Sequence, residues 1–356
     1  MRRYLVGVFA FGFVKFAVNR FKIGRYKILA DINKKHKFNL YDVFFNPNRD
    51  VEDAKGEGPV KKYGIAYFFK LFGRNIGRLF SVNLFYIFGN FPILFLLLAI
   101  SGIVSAESTS PLSSVFPLIS GAMRSTPNPV TGVLSSVFAL QRTVSVPTVW
   151  TYVCYILGAL VLVTYGPVCS GCAYILRETV KREPVFMWSD FWDTVKKNFL
   201  QSVLVGAVDL IVGILAIYDL FFFYYNLDGT FINSVLFFVC LVVLVIYVMA
   251  QNYIFPLLIT FKLSFAKLIK NAVLFSLIGL GRNIMALLGS TLLILAVFEL
   301  LYLYVPIGVA VTLIIGFSGI AFIGVYAAWP KIKEIMIDPY YPDKTKPKSY
   351  IDNEEI

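Results

Sequence analysis

Six long apolar runs dominate this chain, and each can cross the hydrocarbon core of a bilayer as a helix, for which about 20 residues suffice. A helix satisfies its own backbone hydrogen bonds, which lipid cannot do, so runs of this kind predict membrane-spanning helices. The runs cover residues 80–104, 149–176, 200–225, 231–259, 283–304 and 306–329. We therefore predict an all-α fold, a polytopic transmembrane helical bundle of six spans.

The composition excludes soluble, disordered and secreted disulfide-rich classes of protein. Apolar residues make up 58% of the chain and charged residues 15%, whereas a soluble domain carries roughly a quarter of charged residues. The four cysteines all lie inside apolar runs rather than in polar loops. Lys and Arg outnumber Asp and Glu by 33 to 21, but they flank the spans, so we expect the lipid bilayer and not nucleic acid as the partner.

The distribution of basic residues predicts the orientation. Lys and Arg number 17 before the first span, five between spans two and three, four between spans four and five, and five after span six. The other side carries only Arg124 and Arg142. Because basic residues accumulate in cytoplasmic loops, we expect a bacterial plasma-membrane protein with both termini in the cytoplasm.

Residues 1–63 are expected to form a basic cytoplasmic region ahead of a membrane domain over residues 64–336 and a cytoplasmic tail over residues 337–356. Residues 4–18 are apolar but are interrupted by Lys15 and followed by no small-x-small cleavage site. We expect an uncleaved helix lying in the interface here, with a cleaved signal peptide or a seventh span as the alternatives. A linker rich in Pro, Gly and charge follows.

Residues 105–147 form an external insertion between the first two spans. The pattern Leu-Ser-Ser-Val-Phe-x-Leu occurs at 112–118 and again at 134–140, on either side of a proline-containing segment. Two interfacial turns around a proline loop fit this pattern. Such an insertion is either a lid over a cavity or a surface loop.

Prolines inside two spans predict helix breaks. Gly166 and Pro167 lie in the second span and Pro256 lies in the fourth, and a proline removes one backbone hydrogen bond and favours a kink. The kinks either adjust the packing of the helices or form a hinge or cavity lining.

Polar residues inside the spans are candidates for an intramembrane site. Asp209, Asp219 and Glu299 have no Lys or Arg at similar depth, so we expect them to be uncharged and hydrogen-bonded to a neighbouring helix. Asn83 in the first span is a further candidate. Asp209 is the deepest of the acids, and its role is either structural or the handling of a proton or substrate.

The connection between spans two and three predicts an amphipathic surface helix. Apolar and aromatic residues at helical spacing alternate with charged ones, which fits either headgroup anchoring or docking of a cytoplasmic partner. Ser189 or Asp190 is expected to cap this helix by accepting an amide two or three residues later. The candidate docking residues are Trp188, Asp190, Phe191, Trp192, Lys196 and Asn198.

No signature of an enzyme, metal site or cofactor site appears in the sequence. Cys169 and Cys172 have CxxC spacing, but zinc needs about four ligands and the single histidine, His36, lies far away in the chain. No phosphate-binding loop, nucleophile elbow or HExxH helix is present. We therefore expect neither enzymatic activity nor a cofactor.

Two segments resemble the YesL-like family of bacterial integral membrane proteins, a domain of unknown function. They are FFKLFGRNIGRLFSVNLFYIFGNFPI at 68–93 and VTYGPVCSGCAYILRETVKREPVFMWSDFWDTVKKNFLQS at 163–202. The shared features are an Asn-Leu-x-Tyr span ending in proline, a Thr-x-Gly-Pro helix followed by an arginine, and an Asp-Phe-x-x-x-x-Lys-x-Asn-Phe connection. These features lie at Asn83, Pro92, Thr164, Gly166, Pro167, Arg177, Asp190, Phe191, Lys196, Asn198 and Phe199.

Members of this family are commonly encoded beside carbohydrate ABC importers and polysaccharide-degradation genes. The resemblance therefore implies an accessory or transport-associated role in carbohydrate uptake, with ABC importer subunits as partners, and it brings no catalytic residues. A stand-alone secondary transporter of a small solute is the alternative, which would require a polar site near the middle of the membrane.

Overall fold

The computed structural model describes residues 63–138, 140–227 and 230–340. The predictions for residues 1–62 and for the tail beyond residue 340 lie outside the described residues. Within the described ranges, five helices are long and apolar enough to cross a membrane, and six spans result if one bent helix pair is counted as a single span. The predicted all-α bundle is therefore confirmed.

The helices follow one another along the chain with short connections. In chain order the elements are α1 (Ile65–Arg74), α2 (Ile76–Gly89), α3 (Pro92–Ile100), β1 (Ala106–Pro111), α4 (Phe116–Ser125), α5 (Pro129–Phe138), β2 (Gln141–Val146), α6 (Val149–Ala159), α7 (Val161–Lys181), α8 (Met187–Tyr225), α9 (Phe231–Thr260), α10 (Phe265–Ile278), α11 (Leu280–Leu303), α12 (Val305–Val311), a π-helical turn (Thr312–Gly316), α13 (Phe317–Ile332) and a second π-helical turn (Lys333–Ile337). We call the end at which α7 gives way to α8 the basic end of the bundle.

The first span is a broken helix rather than the single helix predicted over residues 80–104. Helices α2 and α3 meet at an angle of 57°. Pro92 has no backbone N–H and lies in the first turn of α3, where that N–H is not needed. Asn90 ends α2, and its side-chain Nδ2 donates to the Tyr86 carbonyl at 3.0 Å. Proline and asparagine together therefore set the bend.

The insertion contains a two-stranded antiparallel ribbon and two short helices, and the ribbon was not predicted from the sequence. Strands β1 and β2 pair from Ala106 opposite Val146 to Pro111 opposite Gln141, and α4 and α5 form the connection between them. Thr148 caps α6, and the hydroxyl groups of Thr148 and Thr151 donate to the Val104 carbonyl at 2.6 and 2.9 Å. These bonds attach the ribbon to the start of α6.

Close helix contact at a pair of glycines organises the core. Gly166 of α7 faces Gly206 of α8, and a Cβ atom on Gly166 would collide with the Ser202 carbonyl oxygen. Small residues that allow backbones to approach are a main source of stability between membrane helices, because lipid is as apolar as the helices themselves. In α8 the last buried residue is Asp209, and in α9 the first is Met249. The core therefore lies toward the basic end.

Candidate functional site

Asp209 lies at the centre of a polar cluster that joins three helices. Its side chain is 6% exposed. Tyr247 of α9 donates to Asp209 Oδ1 at 2.9 Å and to the Asp209 carbonyl at 2.8 Å, and Tyr165 of α7 donates to Oδ2 at 3.3 Å. The side-chain amide of Gln251 also donates to Oδ1. We call Asp209, Tyr165, Tyr247 and Gln251 the Asp209 cluster.

The glycine contact explains why these side chains meet. Asp209 lies three positions after Gly206 on the same face of α8, and Tyr165 directly precedes Gly166 on α7. Tyr247 and Gln251 are four positions apart and therefore project from one face of α9. Close approach of α7 and α8 thus brings a hydroxyl to one side of the carboxyl group, while α9 supplies the other two donors.

In the Asp209 cluster, the carboxyl group accepts hydrogen bonds from its described partners, and none of these partners is a cation. Among the described residues, all side chains that contact the Asp209 carboxyl are neutral donors. Both carboxyl oxygens accept hydrogen bonds, so the group is already occupied by protein partners. Within the described ranges no three His, Cys, Asp or Glu side chains come together as metal ligands.

The other polar candidates do not join the Asp209 cluster. Asp219 and Glu299 are exposed on the surfaces of α8 and α11. Asn83 is fully buried, but it contacts the last span: Nδ2 donates to the carbonyls of Thr312 and Leu313 at 2.9 and 2.7 Å. The four candidates therefore occupy separate places, because they lie at different depths and on different helix faces.

Asn83 forms hydrogen bonds with backbone groups in and next to the first π-helical turn, Thr312–Gly316. Its Oδ1 accepts the backbone N–H groups of Phe317 and Ser318 at 2.9 and 3.0 Å, in addition to the two bonds that its Nδ2 donates. A π-helical turn opens the regular ladder of hydrogen bonds and leaves backbone groups to be satisfied from elsewhere. The carboxamide of Asn83 serves this purpose, which explains a fully buried amide in this span.

The predicted amphipathic helix is the first part of α8 and is continuous with the third span. Phe191 and Val195 are buried, and the Phe191 ring stacks on Phe85 of α2 with 4.4 Å between centroids. Trp188 and Trp192 remain 67% and 42% exposed. The helix therefore uses one face for the core and presents two tryptophans on its surface.

Asp190 accepts a backbone N–H at the start of α8, but from a residue that precedes it and not from one that follows it, as was predicted. The helix begins at Met187, and Asp190 Oδ2 accepts the backbone N–H of Phe186 at 2.9 Å, an amide that precedes it rather than one that follows. Asn198 donates to the Thr194 carbonyl of its own helix at 3.0 Å, and Lys196 is exposed. Of the predicted docking residues, Phe191 is unavailable to a partner because it lies in the core.

Neither span proline ends its helix. Helix α7 continues through Pro167 and α9 continues through Pro256, so the helix breaks predicted at Gly166, Pro167 and Pro256 are absent. Both prolines are buried in the core, and Gly166 serves the contact with α8 instead. The second span is interrupted at Leu160 and the first span at Asn90, whereas α9 is continuous from Phe231 to Thr260.

A buried ion-pair network at the basic end was not predicted from the sequence. Glu178 is 3% exposed, and its Oε1 lies 2.6 Å from Arg177 Nη2 while its Oε2 lies 2.8 Å from Lys181 Nζ. Arg177 Nη1 also donates to Thr260 Oγ1 at 2.8 Å, and its guanidinium lies 5.7 Å from the Trp329 ring centroid. In the sequence, the closely spaced charged residues at positions 177, 178 and 181 could have indicated this network.

Arg282 forms a hydrogen bond with the carbonyl group that Pro330 leaves without its helical partner in α13. Since Pro330 has no N–H, the Tyr326 carbonyl lacks its usual partner four residues later. Arg282 Nη2 donates to that carbonyl at 3.0 Å and its Nη1 donates to the Tyr63 carbonyl at 3.3 Å. Burial raises the pKa of the Tyr63 hydroxyl, as does neighbouring Tyr67. Arg282 thus ties the chain ahead of α1 to the last span.

Comparison with known proteins identifies one similar family. A profile described as "Protein of unknown function, DUF624" matches residues 146–220, which run from the end of β2 nearly to the C-terminal end of α8. This range contains the glycine contact, Arg177, Glu178 and Asp209. No curated protein and no solved structure matches the chain. The chain is thus similar to an uncharacterised domain in the part that builds the centre of its core.

Proposed function

We propose that this protein is a multi-pass plasma-membrane factor that assists carbohydrate uptake by binding subunits of an ABC importer, and that it is not itself an enzyme. The proposal takes the carbohydrate link from the resemblance to the YesL-like family, whose members carry the DUF624 domain. The observation that supports a binding role is the exposed pair Trp188 and Trp192 at the start of α8.

These two tryptophans are held by the core and not by a mobile loop. Trp188 packs on the Phe85 ring at 5.7 Å and on Trp192 at 5.9 Å, and Phe85 in turn stacks on buried Phe191. Rigid, exposed aromatic side chains give large contact area at low entropic cost and are enriched in protein interfaces. A partner helix or loop would therefore find a preformed aromatic surface.

A stand-alone secondary transporter is the second candidate, and the Asp209 cluster favours it. A transporter needs a polar site near the middle of the membrane, and Asp209 is buried where the core of α8 ends. The carboxyl oxygens are, however, already bonded to Tyr165, Tyr247 and Gln251. A substrate would have to displace these donors, so the binding role is preferred.

Affinity purification of the tagged protein from detergent, with mass spectrometric identification of its partners, tests the proposal. We expect ABC importer subunits to co-purify with the wild type and not with the double variant Trp188→Ala, Trp192→Ala. The matched control is Trp150→Ala, which removes a tryptophan that is 71% exposed at the other end of the bundle. Membrane abundance should be unchanged in both variants.

Absence of transporter subunits from the wild-type sample, or their retention by the double variant, would overturn the binding role. Reconstitution of the purified protein in liposomes examines the alternative. Uptake of a solute by the protein alone, lost in Asp209→Asn, would establish the transporter instead.

A further inference from the structure

Five lysines at the basic end are exposed and make no ion pair among the described residues. They lie in the first part of α8, in the loop after α9 and in α10, at Lys196, Lys197, Lys262, Lys267 and Lys270. By contrast, Arg177 and Lys181 pair with Glu178, and Lys331 pairs with Glu334. Within the described part of the chain, positive charge on this part of the surface is thus left without a partner of opposite charge.

A hydrogen bond between α8 and the loop after α9 brings the segments that carry Lys197 and Lys262 together. Gln201 of α8 donates its side-chain amide to the Leu263 carbonyl at 2.7 Å. Lys197 lies one turn before Gln201 on the same face of α8, and Lys262 precedes Leu263 directly. Lys267 and Lys270 follow at helical spacing on the exposed face of α10. We call Lys197, Lys262, Lys267 and Lys270 the lysine patch.

Exposed leucines continue from the lysine patch along both helices. On α8, Leu200 and Leu204 follow Lys197 on one face and are 83% and 52% exposed. On α10, Leu274 and Leu277 follow Lys270 on one face and are 49% and 51% exposed. The order of lysine first and leucine next recurs on both helices, and it matches a ligand with an anionic end and an apolar end.

We propose that the lysine patch binds the headgroup of an anionic phospholipid whose acyl chains lie over these leucines. Charge complementarity favours a phosphate at four lysines, because the acid on the same face, Asp193, lies one turn before Lys197 and on the side away from the leucines. A soluble acidic partner would leave the leucines unused. The lipid site is independent of the carbohydrate role and of the Trp188 and Trp192 surface.

Native mass spectrometry of the purified full-length protein, titrated in neutral detergent with phosphatidylglycerol or phosphatidylcholine, tests the proposal. We expect the wild type to bind phosphatidylglycerol about tenfold more tightly than phosphatidylcholine, or more tightly still. A basic residue near an anionic membrane surface contributes about 1 kcal/mol, or about fivefold in affinity. The triple variant Lys262→Gln, Lys267→Gln, Lys270→Gln should therefore lose the preference for phosphatidylglycerol.

The matched control removes the same charge from the tail, with Lys344→Gln, Lys346→Gln and Lys348→Gln, and should retain the preference. The double variant Leu200→Gln, Leu274→Gln keeps every lysine and should weaken binding of phosphatidylglycerol, because the acyl chains lose their contacts. Equal binding of the two lipids by the wild type, or an undiminished preference in the patch variant, would overturn the proposal. Binding of a soluble polyglutamate peptide as tight as that of phosphatidylglycerol would assign the patch to an acidic protein partner and overturn it as well.

Discussion

Asn83 Nδ2 and the Thr312 carbonyl oxygen lie 2.9 Å apart, although the two residues are 229 positions apart in the chain. This bond is one of four through which a side chain of the first span replaces backbone partners in the last span. The first and last spans are therefore joined by a specific polar contact as well as by packing.

Replacement of Asn83 by Ala should destabilise the protein by roughly 2 kcal/mol. Buried carbonyl and N–H groups of the π-helical turn would lose their partners, and each buried unsatisfied polar group costs on the order of 1–3 kcal/mol before the backbone relaxes. Equilibrium unfolding in mixed detergent micelles measures the loss. Asn226→Ala, which removes an exposed amide bonded to the Phe222 carbonyl, is the control and should have little effect. Equal stability of the two variants would contradict the role assigned to Asn83.

Asp209→Leu should lower stability by about 1–3 kcal/mol, since Tyr165 and Gln251 would lose the carboxyl oxygens that accept their hydrogen bonds, while Tyr247 would keep only the backbone carbonyl of position 209. Asp209→Asn keeps the shape and one acceptor oxygen and should lose less. Thermal unfolding in detergent provides the measurement. The control is Asp219→Leu at an exposed position of the same helix, where we expect no loss. If Asp219→Leu is as damaging as Asp209→Leu, the Asp209 cluster does not hold the three helices together.

Glu178→Gln should cost about 3 kcal/mol, because Arg177 would remain buried without its counter-charge. The matched pair at the surface is Lys331 with Glu334, in which the glutamate is 62% exposed. Surface ion pairs contribute roughly 0–1 kcal/mol, so Glu334→Gln should be nearly neutral. Thermal unfolding of Glu178→Gln and Glu334→Gln without denaturant measures the loss of stability in each variant. A small effect at Glu178 would show that Arg177 finds a sufficient partner in Thr260.

The predicted orientation can be tested by cysteine labelling of intact cells. We expect a cysteine at position 110, in β1, to react with an impermeant reagent added outside, and a cysteine at position 346 to react only after the cells are opened. The unsubstituted protein is the control for labelling of its own four cysteines. Labelling at position 346 from outside would reverse the topology.

Local properties of the sequence were sufficient to predict which parts of the chain form the spans. Apolar runs predicted the helices because insertion into lipid depends on the hydropathy of each segment by itself, and the alternating aromatic pattern around Trp188 predicted a helix with two different faces. The exact limits were harder to predict. The charged residues from Met187 to Phe199 concealed that α8 is one continuous helix of 39 residues.

Tertiary structure decided which polar residues meet. Asp209 could be recognised as a buried acid from its position in an apolar run, but its donors Tyr165, Tyr247 and Gln251 come from two other helices. The strands β1 and β2 depend likewise on pairing across the whole insertion. Hydropathy acts along the chain and is visible in it, whereas a hydrogen bond between distant residues exists only after the helices have packed at a particular rotation and depth.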